Sequence, residues 1–178
     1  MDQLKVPYLS VSPKTDEALL KKNYVGPLEK LPEFLAQKKA ESLITENPEG
    51  VTIGCDQMAI FAGHGLDKPG TVENAVKQLL AMQGKVHQLH TALAVHFRGQ
   101  WMLETHITTL HMKPLTEQQI RDYVALDNPI DCAGSYKIEK NGADLFDNVE
   151  NFDPSAIVGL PLMHLLEILD DLGVDLPE

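Results

Sequence analysis

LHTALAVHFRGQWMLETHI, residues 89–107, alternates apolar and polar positions over two stretches, and it reads as two strands folded back on each other. Leu89, Thr91, Leu93, Val95 and Phe97 fall on one face of the first strand, and Trp101, Leu103, Thr105 and Ile107 on one face of the second. Arg98, Gly99 and Gln100 join them, a hairpin signal. Upstream, Thr52 to Ile60 reads as another strand, and Gly63 to Gly70 as a turn-rich loop containing LDKPG. Thr71 then caps a helix in which Val72, Val76, Leu79 and Leu80 recur at helical spacing up to Gly84. Helices alternating with strands, followed by a hairpin, predict an α/β fold: a mixed twisted sheet with flanking helices.

The remaining segments fit that frame. Tyr8 to Ser12 reads as a short strand, and PKTDEALLKKNYVGP as a polar loop with a helical turn. Pro32 suits the first position of a helix running to about Ile44, with Leu31, Leu35 and Leu43 on its inner face. TEQQ at 116–119 is a capping box that opens a helix with Ile120, Tyr123 and Val124 inward. After Pro129 the chain turns irregular through CAGSYKIEKNGADLF, and Ala143 to Val149 can make a strand. Pro161 starts a closing helix striped by Leu162, Leu165, Leu166, Leu169 and Leu172, which Gly173 stops.

A chain of 178 residues, 43% hydrophobic, predicts one domain covering residues 1–178. Its net charge of -11 argues against a nucleic-acid polymer as partner. The longest apolar run, around Ile157 to Leu166, is broken by Gly159, Pro161 and His164 and falls short of the ~20 residues of a membrane span. MDQLKVPYLS lacks the basic start and apolar centre of a secretory signal, so the expected location is cytoplasmic, with no membrane partner. Cys55 and Cys132 form neither a CxxC pair nor a zinc pattern and are expected as reduced, inert thiols. No GxGxxG or GxxxxGK[ST] is present, so neither Rossmann nor P-loop phosphate binding has support.

Asp56 is the residue that breaks the pattern, because it sits inside the apolar run IGCDQMAIF, where an unpaired charge is costly. Read from this segment alone, it caps a loop, pairs with a buried lysine, or lines a crevice at a strand end. Lys39 lies four residues after Leu35 and four before Leu43, on the buried stripe, where a lysine commonly snorkels; Lys38, turned by about 100°, belongs on the solvent side. Asp16 and Glu17 sit in a polar loop, and Lys68 in a turn. Together, carboxylates and lysines on separate elements are the parts needed to hold a polyphosphate and a hard divalent cation, Mg²⁺ or another such as Mn²⁺.

The order of motifs resembles the Maf family of nucleotide pyrophosphatases. TDE (15–17), LAQKKA (35–40), IGCDQ (53–57), DKPG (67–70), Thr91–Ala92, Glu104–Thr105, CAGSYKIEKNGADLF (132–146) and VGLPL (158–162) carry the resemblance. It implies a Maf-like architecture, similar to inosine triphosphate pyrophosphatase. GCDQ and CAGSYK resemble the branch acting on 7-methyl-GTP, which implies hydrolysis to the monophosphate and pyrophosphate as a house-cleaning activity. By the same resemblance Asp56 is the catalytic carboxylate, Glu17 and Asp56 hold the metal, and Lys39, Gln57, Lys68, Ser135, Lys137 and Glu139 bind substrate. A homodimer is also implied. The sequence departs from the family at its start, where relatives carry a strand and an SxSPRR turn. Ser12 and Pro13 are not that turn, and Lys14 does not stand in for its arginine. Further residues upstream of Met1 are therefore expected, since losing an inner strand exposes a sheet edge. The alternative is a nucleotide-binding or division-regulating protein with weak turnover or none.

Overall fold

The computed structural model describes residues 6–46, 48–151 and 153–174. The hairpin forms the middle of a five-stranded sheet: β3 (Val86–Phe97) pairs with β4 (Gln100–Met112) from Phe97 opposite Gln100 to Val86 opposite His111. Its turn is tighter than the sequence suggested, because Gln100 already belongs to the strand. Arg98 and Gly99 take φ of 48° and 81°, the two left-handed positions of a type I′ turn, whose twist matches that of the strands.

On the other side of β3 lies β1 (Thr52–Phe61), and the sheet is completed by β2 (His64–Leu66) and β5 (Phe146–Glu150), in the order β2-β1-β3-β4-β5. The α/β class stands, but every pairing among the described strands is antiparallel rather than mixed. β2 pairs only with Ala59–Phe61, so the outer edge of β1 from Thr52 to Met58 has no strand partner among the described residues.

Two helical layers enclose the sheet. On one face lie α1 (Glu17–Asn23) and α2 (Leu31–Glu41); on the other lie α3 (Val72–Met82), α4 (Glu117–Asp127), α5 (Pro154–Ile157) and α6 (Leu162–Asp171). Because β3 is covered on both faces, its alternation does not separate core from solvent. Leu93 and Val95 pack against α6 through Leu165 and Leu169, while Ala92 and Ala94 face Ala36 of α2. Complete burial of a leucine such as Leu35 or Leu165 contributes about 1.5–3 kcal/mol. β4 reaches past α2, so Leu103 and Ile107, which share one face of the strand, are 40% and 47% exposed.

Local departures have local causes. Tyr8 to Ser12 is not a strand, and Leu9 is 85% exposed. The loop that follows holds a seven-residue helix because the Asp16 carboxylate caps it, accepting from the Leu19 N–H at 3.0 Å. α2 ends at Glu41, short of Ile44. The strand expected at 143–149 begins at Phe146, preceded by a 3-10 turn at Asn141–Leu145. In α6, Ile168 is buried in place of Leu166. The caps at Thr71 and the reciprocal box of Thr116 and Gln119 form as the sequence indicates.

The contact that matters most for the site is α2 against β1. A Cβ on Gly54 would lie 2.1 Å from the Ala36 carbonyl oxygen and 3.0 Å from the Ala40 nitrogen, so only glycine lets the helix approach this closely. Gly54 stands opposite Ala94, and Asp56 opposite Ala92, so small residues floor the whole seam. Gly54→Ala is expected to cost at least about 1–3 kcal/mol, read as a lower urea midpoint, because the obstructing atoms are backbone and cannot rotate away.

Candidate active site

Lys39 and Asp56 meet across that seam. Lys39 Nζ lies 2.5 Å from Asp56 Oδ1 and 3.0 Å from Glu17 Oε2, and Lys21 Nζ lies 2.9 Å from Glu17 Oε1. The sequence placed Lys39 on the inward stripe and Asp56 in the apolar run, and the sheet and helix bring the two side chains to 8% (Asp56) and 20% (Lys39) exposure. Lys21 was missed, although its spacing four residues after Glu17 on a helix is the signal for an ion pair.

The electrostatics follow from burial. Desolvation pushes the Asp56 carboxyl above its ordinary value, and the hydrogen bond and charge of Lys39 only partly offset this. Lys39 is held charged, its pKa raised because bonds to Asp56 and Glu17 outweigh its own desolvation. Cys55, next to Asp56, is pushed up to about 12 by burial, and Cys132 to about 11, so both thiols are inert as expected.

These groups line a cleft of about 640 Å³ whose walls also include Gln57, Lys68, Tyr136, Glu139 and Gly159. Asp56 and Gln57 are neighbours on a strand and point to opposite faces of the sheet, yet both line the cleft, because it wraps the open edge of β1. Gln57 Nε2 lies 2.9 Å from Thr91 Oγ1 and 3.0 Å from each of the Ala156 and Ile157 carbonyls. The Thr91 hydroxyl donates its own hydrogen to Ala156 O at 2.9 Å, so it can only accept from Gln57. The amide orientation is thereby fixed, and Gln57 has only its acceptor oxygen left to offer the cleft.

Lys68 stands in the loop between β2 and α3. Gly70 N–H donates to Ile130 O at 2.9 Å, and Gln78 Nε2 to Asp67 O at 3.0 Å, which pins both ends of DKPG. Ser135 does not reach the cleft wall: it is fully buried and its hydroxyl donates to Gln78 Oε1, bracing the same loop from behind. Lys137 is likewise outside the wall, paired with Asp131 at 3.0 Å and donating to Asn128 O at 3.2 Å. Glu139 does line the cleft.

Whether Glu17 and Asp56 suit a divalent cation can be judged from their donors. Both offer hard carboxylate oxygens, and both converge on the one point charge of Lys39. Among the described residues no set of three His, Cys, Asp or Glu side chains could hold an ion unaided. Two carboxylates completed by phosphate and water are what Mg²⁺ ordinarily takes, so the residues fit.

An antiparallel sheet between helical layers, with a lysine and carboxylate cleft at an open strand edge, defines a protein of the α/β class. The chain belongs to the Maf family: the model of that family, described as Maf-like protein, matches residues 1–172. It is 46% identical over 174 residues to a Bdellovibrio bacteriovorus protein, covering 98% of this chain and 90% of the other. With a Pseudomonas aeruginosa protein it shares 37% identity over 180 residues (99% and 92% covered), and with one from Syntrophotalea carbinolica 37% over 177 (98% and 88%). All three relatives bear the name 7-methyl-GTP pyrophosphatase.

The balance at Asp56 is open to measurement. In a carbon-13 titration the Asp56 carboxyl should titrate above the usual ~3.9 of aspartate. In Lys39→Met it should move higher still, since burial then acts unopposed; an unchanged or lower value would mean that Lys39 does not carry the charge balance described.

Proposed function

We propose that this chain hydrolyses 7-methyl-GTP to the nucleoside monophosphate and pyrophosphate, as a house-cleaning enzyme. The observation that carries the reading is the juxtaposition of the Glu17, Lys39 and Asp56 cluster with Lys68 around one cleft. Its volume lies in the range of about 300–1,000 Å³ typical of ligand pockets. The names of the relatives supply the substrate.

The chemistry follows from the residues. Water attacks the α phosphorus; an oxygen–phosphorus bond forms there as the bond to the oxygen bridging the α and β phosphates breaks, and pyrophosphate leaves. Asp56 takes up the proton of the attacking water. Its raised pKa makes it a better base than an exposed aspartate, and Lys39 occupies only Oδ1. Lys39 and Lys68 oppose charge building on the phosphoryl oxygens. A Mg²⁺ or Mn²⁺ ion held by Glu17 and Asp56 would supply further charge neutralisation there.

The experiment is incubation with 7-methyl-GTP and Mg²⁺, scoring monophosphate and pyrophosphate, for this chain and for one extended upstream. Products are expected, with Asp56→Asn lowering kcat about 10²–10⁴-fold while binding persists. No products from either chain would sink the reading in favour of a nucleotide-binding protein without turnover. A cytoplasmic setting goes with the reading, supported by two free cysteines and by the lack, among the described residues, of a helix long and apolar enough to cross a membrane. So does a homodimer, supported by the exposed Leu103 and Ile107 on β4; sedimentation showing monomer alone at micromolar concentration would remove it.

A further inference from the structure

The charges along one wall of the cleft form a row of alternating sign that runs from the core to solvent. It begins at Asp56, which is buried, passes through Lys39, Glu17 and Lys21, and ends at Asp67, which is 87% exposed. Lys39 joins Asp56 to Glu17, and Lys21 stands 2.9 Å from Glu17 and 3.9 Å from Asp67. Attack on the α phosphorus calls on the inner three charges alone. Lys21 is left without a part, although it lines the same cleft.

Its position is set by the short helix that carries it. The Asp16 cap starts α1 so that Glu17 opens the helix and Lys21, one turn later, stands on the same face. Leu20 packs on the cluster of Leu31 and Leu35 and seats α1 against α2. Lys22, turned by about 100° from Lys21, is not in the cleft wall. An i,i+4 ion pair on an exposed helix adds little to stability, so the pairing with Glu17 gives the fold little. An ammonium has three N–H donors. Glu17 engages one of them, and Asp67 at 3.9 Å is beyond hydrogen-bonding distance, which leaves two for a ligand.

Among the described residues, five carboxylates and three lysines line the cleft, so its wall is short of positive charge before any polyphosphate enters. Each lysine therefore counts. With the α phosphorus beside Asp56, the β and γ phosphates lie farther along, and breaking the bridging bond leaves its electron pair on the departing pyrophosphate. The cations beyond Lys39 are Lys21 on α1 and Lys68, which shares its loop with Asp67. We infer that Lys21 is a further substrate-binding residue that holds the β and γ phosphates and then the outgoing pyrophosphate, so that α1 and the DKPG loop together form the leaving-group subsite; this rests on the pyrophosphatase reading above. Charge placed at that end opposes the negative charge that grows as the bond breaks.

Lys21→Met removes the ammonium and keeps an unbranched stem, and because α1 buries no residue the unfolding midpoint should move little. Equilibrium affinities for inorganic pyrophosphate and for 7-methyl-GMP are measured with Mg²⁺ present, and kcat and KM for 7-methyl-GTP. The expected result is roughly tenfold weaker pyrophosphate binding, as for one charge-assisted contact, a similar loss of kcat/KM, and unchanged 7-methyl-GMP binding. Lys21→Arg should restore most of both losses. Mn²⁺ affinity without nucleotide should not fall, because Glu17 and Asp56 remain. Equal weakening of pyrophosphate and 7-methyl-GMP, or a fall in Mn²⁺ affinity, would mean that Lys21 acts only through Glu17 and would overturn the inference; so would unchanged pyrophosphate binding. If the unaltered protein does not cleave 7-methyl-GTP, the functional reading fails and pyrophosphate decides alone. Binding that depends on Lys21 then upholds the subsite, and binding that is absent or indifferent to Lys21 overturns it.

Discussion

The seam between α2 and the sheet is the constraint on which the site depends. With backbone atoms of Ala36 and Ala40 lying 2.1 and 3.0 Å from where a Gly54 Cβ would be, the helix rests directly on β1. Ala92, Ala94 and Ala36 continue the same floor with almost no side-chain volume. A normal helix-to-sheet spacing would place the Lys39 ammonium farther from the Asp56 carboxylate. The ion pair at 2.5 Å is thus a result of omitted side chains as much as of the charged ones. The larger apolar groups stand to either side: Leu31 and Leu35 with Met58 and Ile60 on this face, Leu165 and Leu169 with Leu93 and Val95 on the other.

That geometry sets the electrostatics. A buried carboxylate with a single lysine partner is balanced between desolvation, which favours its neutral form, and the pair, which favours its ionised form. Here burial is the larger effect on Asp56, and its basicity rises. Lys39 is in the opposite position, since two carboxylates share it and its charge is secured. A chain with a net charge of -11 can therefore still present local cations to a phosphate. It does so with Lys39 tied to Glu17 and Asp56 and with Lys68 in no ion pair among the described residues.

What the sequence revealed depended on periodicity. The 3.6-residue spacing put Lys39 on the inward stripe of α2, and the apolar run marked Asp56 as anomalous, and both lie where those patterns place them. Periodicity is silent on three-dimensional bracing. Ser135 and Lys137 sit in the same short segment as Glu139, but only Glu139 lines the cleft, because Ser135 is drawn inward to Gln78 and Lys137 outward to Asp131. The short helix α5 was hidden for another reason: it is set by a single aspartate cap, Asp153, with no apolar stripe to announce it. On β4, alternation says which residues share a face, not how far the covering helix reaches, so it is silent on the exposure of Leu103 and Ile107.

The open edge of β1 explains why one cleft can draw on both faces of the sheet. On a strand paired along both edges, Asp56 and Gln57 would serve separate cavities, one under α2 and one under α5. Between Thr52 and Met58 no described strand closes the outer edge, and the cleft runs around it. The backbone N–H and C=O groups along that edge need partners of their own. Whatever occupies it, strand or ligand, lies with the Asp56 carboxylate on one side and the Gln57 carbonyl on the other. The locked amide matters for the same reason. With Nε2 committed to Thr91 and the α5 carbonyls, the second face contributes an acceptor only. The site therefore draws Lys21 and Lys39 from the α1 and α2 side of β1, while Gln57 on the opposite face contributes an acceptor.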